Sequence, residues 1–179
     1  MQSNGCIRFC KRGRGFLMVK WKKLTKNQYL GFFTPGLLLI ALQELPYAIM
    51  PFLSLSANPL MAMQDNSPLL NAIEKALGIS CILALLFLVR GDVKIFSLHS
   101  KKEKGFFGAA MLALALYYVG WIFYWNGRQS LALILGLLVA MPPIYYALLG
   151  LWRKNSAASV LGGLFLLAHL ANVWYNFVG

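Results

Sequence analysis

Five long apolar segments, separated by short connections rich in Lys and Arg, constrain the fold of this chain more than any other feature. A helix needs about 20 mostly apolar residues to cross a hydrocarbon core of about 30 Å. Hydrophobic residues make up 59% of the 179 residues and charged residues 12%, about half the charged share of a soluble domain. One water-soluble core of this size could not bury so much apolar surface. The chain is therefore predicted to be an all-α integral membrane protein whose main partner is the lipid bilayer.

The predicted transmembrane domain covers residues 28–179 and is a bundle of five helices. The helices are expected at about residues 29–52, 68–90, 105–125, 130–151 and 157–178. The second helix has a short purely apolar core. To span, it must begin near Pro68 and carry Glu74 and Lys75 into the outer part of the membrane.

The basic residues predict the orientation of this bundle. All Lys and Arg residues except Lys75 and Arg128 lie before the first helix, between the second and third, or between the fourth and fifth. Cytoplasmic connections of membrane proteins carry an excess of Lys and Arg. Five helices with the N-terminus inside and the C-terminus outside place all three clusters in the cytoplasm. Four or six helices would leave one cluster on the outer side of the membrane. The predicted localisation is the cell membrane.

The first 27 residues carry many bases and no acid. They are predicted to form a disordered cytoplasmic tail held near anionic headgroups, and translation could start at Met1 or at Met18. The formal net charge of +12 does not indicate a nucleic-acid partner, because the bases lie between apolar segments rather than on a soluble surface.

Polar residues at membrane depth are the candidate site residues. Burying a charged side chain there costs about 2.5–3.5 kcal/mol on insertion scales, so such residues are functional candidates by default. At 1.5 Å per residue, Glu44, Glu74 and His169 all fall in the outer half of the bundle. Tyr47 stands one turn after Glu44, so its hydroxyl is expected to meet the Glu44 carboxyl. Asn172 shares a helical face with His169. These five residues are predicted to bind a ligand or carry a proton.

Each candidate also has a purely structural interpretation. Glu44 could be a neutral acid that hydrogen-bonds a neighbouring helix, and Glu74 could form an interfacial pair with Lys75. His169 and Asn172 could belong to a hydrogen-bonded seam between helices.

Prolines and small residues predict local helix geometry. Pro46, Pro142 and Pro143 are expected to kink their helices, since proline has no N–H to donate. Pro46 leaves the carbonyl group of Leu42 without its helical donor. Small residues four apart indicate close helix contacts; the pairs are Ala109 with Ala113 and Ser159 with Gly163.

The leading functional hypothesis is binding or transport of a small solute or ion at a polar site in the outer half of the bundle. One alternative is a non-catalytic accessory, immunity or assembly subunit. Another is an intramembrane enzyme for a lipid-soluble substrate, with Glu44 or Glu74 as acid and His169 as base. The sequence has no nucleotide-binding or hydrolase motif, which favours a non-enzyme. No catalytic residue, metal or cofactor is predicted. A homo-oligomer or a larger membrane partner is expected, because five helices make a thin bundle.

Overall fold

The computed structural model describes residues 18–55, 57–91, 96 and 98–178. Within these residues, five helices are long and apolar enough to cross a membrane, as predicted. They are α1 (Thr34–Ile49), α2 (Pro68–Phe87), α3 (Lys101–Trp125), α4 (Leu131–Trp152) and α5 (Ser156–Val178). A 3-10 turn, Met50–Phe52, prolongs α1. The most extensive contacts join α2 to α5 and α4 to both α3 and α5, while α1 packs less closely.

A small antiparallel sheet corrects the all-α prediction. Strand β1 (Met18–Lys23) pairs with β2 (Gln28–Phe33), and β2 pairs with β3 (Leu88–Arg90). The sequence predicts residues 29–33 and 88–90 to belong to the first and second helices, because a short apolar run does not distinguish a strand from a helix. The prediction that the N-terminal tail is disordered is wrong for residues Met18–Lys23, which form β1. Residues 1–17 of the predicted tail lie outside the described residues.

Two residues fit the chain to the passage from β2 into α1. Pro35 occupies the first turn of α1, where its missing N–H costs nothing. In β2, a Cβ atom at Gly31 would lie 2.1 Å from the carbonyl oxygen of Val19 in β1. The close pairing of the two strands therefore requires glycine at this position.

At the sheet end of the bundle, Asn155 joins two helices through one buried side chain. Its Nδ2 donates to the carbonyl oxygens of Ala84 at 2.8 Å and Leu88 at 2.9 Å, at the end of α2. Its Oδ1 accepts from the backbone N–H of Ala158 at 3.2 Å, in the first turn of α5. The side chain thus caps the first turn of α5 and supplies a side-chain donor to two carbonyl groups at the end of α2.

The basic connections meet at the same end. The Lys154 ammonium lies 3.5 Å from the carboxylate of Glu103, which also closes the capping box of α3 with Ser100. The guanidinium of Arg153 lies over the Phe33 ring, 4.2 Å from its centroid. Burial lowers the pKa of Arg153 to about 10, so the side chain stays charged at neutral pH.

The opposite end is covered by the connection between α1 and α2, which contains a one-turn helix, Pro59–Ala62. The Tyr124 hydroxyl donates to Oδ1 of Asn58 at 2.9 Å and accepts from the backbone N–H of Leu60 at 3.1 Å. Nε2 of Gln129 donates to the carbonyl oxygen of Ala57 at 2.9 Å. This connection is therefore packed onto α3 and its following turn.

Helix α4 changes geometry before its two prolines. Residues Ile134–Val139 form a π-helical segment, Ala140 is a bend, and α-helix resumes over Met141–Trp152. Pro142 and Pro143 cannot donate to carbonyl groups one turn earlier, and wide turns of this kind occur frequently at functional sites.

Close packing of α4 against α5 depends on Gly162. A Cβ atom there would lie 2.9 Å from the backbone nitrogen of Ala147, whereas one at Gly163 would meet nothing within 4 Å. The predicted contact residue Gly163 is therefore wrong. In α3, likewise, Ala110 and Ala113 are buried, whereas Ala109 is exposed. Spacing alone could not choose between adjacent small residues, because helix rotation decides which one faces the neighbour.

Candidate functional site

A cavity of about 350 Å³ lies between the five helices, in the half of the bundle away from the sheet. The predicted candidates Glu44, Tyr47, Glu74, His169 and Asn172 all line it. Of the three predicted kink residues, Pro142 lines the cavity, while Pro46 and Pro143 are buried beside it in α1 and α4.

On the α2–α5 side, Glu74 ends a chain of hydrogen bonds. The backbone N–H of Asn66 donates to Oδ1 of Asn176 at 2.8 Å, and Nδ2 of Asn176 donates to Oδ1 of Asn172 at 3.1 Å. Nδ2 of Asn172 in turn donates to Oε2 of Glu74. Because a backbone N–H can only donate, it sets the orientation of both amides. Glu74 must therefore accept from Asn172.

His169 completes this cluster. Its Nδ1 lies 2.9 Å from Oε1 of Glu74, and its ring stacks on Phe165 with centroids 5.0 Å apart. An ionised Glu74 can only accept, which places the proton of a neutral His169 on Nδ1. No described residue hydrogen-bonds Nε2, so this acceptor is left for a molecule in the cavity.

On the α1–α4 side, the Tyr146 hydroxyl lies between two oxygens: Oε1 of Glu44, at 3.0 Å, and the amide oxygen of Gln43. One hydroxyl proton cannot serve both acceptors. A turned Gln43 amide solves this, because its NH₂ group then donates to Tyr146, which donates to Glu44.

Tyr146 and Gln43 were not among the predicted site residues. The available signals were the position of Tyr146 just after the double proline and the place of Gln43 beside Glu44 in an apolar helix. The phenol expected to reach Glu44 was that of Tyr47. Its ring instead lies 54% exposed against Trp121, with centroids 6.4 Å apart.

Tyrosines also hold the part of α1 that precedes Pro46. The Tyr118 hydroxyl donates to the carbonyl oxygen of Leu42 at 2.6 Å, and the Tyr145 hydroxyl donates to that of Leu39 at 3.0 Å. The Leu42 carbonyl is the one that Pro46 leaves without a helical donor. Helices α3 and α4 thus hold the segment that carries Glu44 through hydrogen bonds.

The charges on the cavity wall are two carboxylates, Glu44 and Glu74, and one exposed ammonium, Lys75, with His169 as a further titratable group. No group of three or more His, Cys, Asp or Glu side chains suited to a metal occurs among the described residues. The wall therefore offers both donors and acceptors and carries a net negative charge when His169 is neutral.

No protein-family model, curated protein or solved structure matches this chain.

Proposed function

We propose that this chain is a multi-pass protein of the cell membrane that binds, and carries across the membrane, a small polar solute or ion in the cavity between its five helices. The observation that carries the proposal is the cavity of about 350 Å³ whose wall holds Glu44 and the Glu74–His169–Asn172 cluster. Polar and ionisable groups are expensive to bury in a membrane, and a cavity of this size lies within the range of small-ligand sites.

The outer surface of the bundle supports a place in the lipid bilayer. Every helix exposes large apolar side chains. Examples, one from each helix in order, are Leu38, Leu69, Leu112, Leu151 and Leu167. An apolar surface that surrounds a whole bundle would be insoluble in water, and lipid is the solvent that suits it.

We also propose that the sheet end of the bundle faces the cytoplasm and that α5 ends outside. The ion pair between Lys154 and Glu103 links the connection after α4 to the start of α3 at that end. The connections that meet there are basic, and cytoplasmic connections carry an excess of Lys and Arg. A C-terminal alkaline phosphatase fusion should be active and a C-terminal green fluorescent protein fusion dark. The reverse result would contradict this orientation, which places the cavity in the outer half of the membrane.

The binding proposal can be tested with two valines of α5. Val173 lines the cavity and is 3% exposed, whereas Val160 is 62% exposed on the outer surface. We expect Val173→Trp to fill the cavity and Val160→Trp to leave it open. Small molecules extracted from protein purified in native lipid should include a species that is present in the wild type and Val160→Trp and absent from Val173→Trp. Identical extracts from the three folded proteins would contradict the proposal.

Intact-protein mass spectrometry of the same samples tests the remaining expectation about partners. Five helices make a thin bundle, so we propose that the protein works as a homo-oligomer or with a larger membrane partner. A monomer in native lipid, without other subunits, would contradict this.

The Glu74–His169 pair favours one second candidate, an intramembrane enzyme. A carboxylate 2.9 Å from one ring nitrogen orients a histidine as a general base. Turnover of a membrane lipid by the wild type, and its loss in a folded His169→Gln variant, would support this candidate. No turnover of a total lipid extract would count against it.

A further inference from the structure

Helices α1 and α2 touch near the sheet and separate farther from it. A Cβ atom at Gly36 in α1 would lie 3.1 Å from Cδ2 of Leu86 in α2, so the helices are in contact at this level. Farther from the sheet, Glu44 and Tyr47 of α1 and Lys75 of α2 all line the cavity. Glu44 is only half-buried, and the other two side chains are exposed. Because side chains that line a cavity and stay exposed mark its opening, the cavity opens sideways between α1 and α2.

The end of the cavity away from the sheet is covered by the connection between α1 and α2. Leu60 and Met63 of this connection line the cavity and pack against the hydrophobic cluster that contains Met50. The backbone N–H of Asn66, in the same connection, donates to Oδ1 of Asn176 in α5. The lateral opening between α1 and α2 therefore faces the surrounding lipid, while the cover separates the cavity from the water above it.

Glu44 and Lys75 stand on the two sides of this lateral opening. Counted along the helices from Gly36 and Leu86, Glu44 lies about 12 Å and Lys75 about 17 Å farther from the sheet. Neither side chain forms an ion pair with a described residue. Oε1 of Glu44 accepts from Tyr146, whereas no described residue donates to Oε2, which keeps accessible surface. Two opposite charges thus lie at similar depth beside one opening without meeting.

We propose that the headgroup of a zwitterionic membrane phospholipid occupies the lateral opening, with its phosphate on Lys75 and its terminal ammonium on Glu44. A charge at membrane depth is costly unless it is paired, and a headgroup with one charge of each sign pairs both. Lys is a common phosphate ligand. The inference goes beyond the proposed function, because it assigns a lipid to the opening and leaves the Glu74–His169–Asn172 cluster to the solute.

The order of charges along the headgroup fits this opening. The phosphate adjoins the glycerol and its acyl chains, so it stays near the lipid, where Lys75 is exposed. The ammonium is at the free end, beyond a two-carbon link, and can reach the half-buried Glu44. An anionic headgroup would leave Glu44 unpaired and bring like charges together. A free headgroup from water shares the chemistry but has no acyl chains to place in the lipid.

Native mass spectrometry of the full chain purified in detergent tests the proposal. The probes are phosphatidylethanolamine, phosphatidylglycerol with the same acyl chains, and glycerophosphoethanolamine, which has none. Phosphatidylethanolamine should bind at least about tenfold more tightly than phosphatidylglycerol, a factor that one close charge pair can supply, and glycerophosphoethanolamine should not bind at the concentrations that saturate the lipid site. Equal binding of the two lipids would overturn the inference. Equally tight binding of glycerophosphoethanolamine would assign the opening to a water-soluble ligand instead.

Variants assign each headgroup charge to its residue. Glu44→Gln should abolish the preference for phosphatidylethanolamine, because the ammonium loses its counter-ion. Lys75→Gln, at an exposed position, should weaken both lipids severalfold by a similar factor, because both carry the phosphate. Lys102→Gln, exposed at the sheet end, is the matched control and should leave phosphatidylethanolamine binding unchanged. A preference that survives Glu44→Gln in a folded protein, or wild-type binding by Lys75→Gln, would overturn the assignment.

The outcome is separable from that of the proposed function, because different residues test the two. If Val173→Trp loses a solute while the wild type does not prefer phosphatidylethanolamine, the lipid is wrong and the solute site stands. If the lipid preference is present and depends on Glu44, while the wild type and Val173→Trp yield identical extracts, the solute site is wrong and the lipid site stands.

Discussion

The Tyr118 hydroxyl donates a hydrogen bond of 2.6 Å to the carbonyl oxygen of Leu42, the acceptor that Pro46 leaves free one turn earlier in α1. A proline in a spanning helix is tolerated where a neighbouring helix satisfies the freed backbone group. Here the neighbour is α3, and the segment that it holds carries Glu44. The carbonyl group that Pro46 frees and the segment that carries Glu44 are therefore held by the same interhelical contact.

Tyr118→Phe should destabilise the protein by about 1 kcal/mol, the size of an interhelical hydrogen bond in a membrane. The cost should nearly vanish when Pro46→Ala is also present, because the N–H of residue 46 then supplies the missing donor. Thermal unfolding of the two single variants and the double variant measures this coupling. Tyr175→Phe, at an exposed position of α5, is the control and should leave Tm unchanged; additive losses in the double variant would contradict the explanation.

Gly162→Ala should destabilise the bundle by about 1–3 kcal/mol, because overpacking forces α4 and α5 apart. The new Cβ atom would lie 2.9 Å from the backbone nitrogen of Ala147, which cannot yield as a flexible side chain would. Gly163→Ala, one residue later, meets nothing within 4 Å and should be neutral or stabilising by up to about 1 kcal/mol. Equal Tm values for the two variants would show that the helices do not approach at Gly162.

Asn155→Ala should cost about 2–4 kcal/mol, since it removes the cap of α5 and the buried side-chain donor shared by the carbonyl groups of Ala84 and Leu88. Asn155→Asp keeps the capping acceptor, but it places a carboxylate against the oxygens of Ala84 and Leu88. We therefore expect a lower Tm for the Asp variant than for the Ala variant at neutral pH. Asn27→Asp, at an exposed position between β1 and β2, serves as control. An Asp variant as stable as the wild type would refute the donor role of Nδ2.

Replacing Glu74 with Gln should change the tautomer of His169. The wild-type carboxylate can only accept, so Nδ1 carries the proton. In Glu74→Gln, the amide oxygen still accepts from Asn172, and the amide NH₂ then donates to Nδ1, which moves the ring proton to Nε2. Nitrogen NMR of ¹⁵N-labelled histidine reports the change, and His99, which lies outside the five helices, is the internal reference. A ring with its proton on Nε2 in both proteins would contradict the acceptor role of Glu74, and one with its proton on Nδ1 in both would contradict the hydrogen bond from the Gln amide.

Sequence reasoning recovered the helices but not the sheet. Long apolar runs identify spanning segments because a backbone in lipid must satisfy its own hydrogen bonds. Over Tyr29–Phe33 and Leu88–Arg90 the same apolar signal belongs to strands. The pairing of β2 with β3 joins residues about 60 positions apart. A local sequence pattern does not indicate so distant a partner.

The sequence by itself determined that this chain has five long apolar helices, and counting along them put Glu44, Glu74 and His169 at similar heights, because rise per residue is a local property. The tertiary structure decided what surrounds them. Helix rotation and packing brought Tyr146 to Glu44, turned Tyr47 onto Trp121 and chose Gly162 over Gly163 for the α4–α5 contact. Such contacts depend on the relative rotation of whole helices, which is set by the sum of packing across the bundle rather than by any one segment.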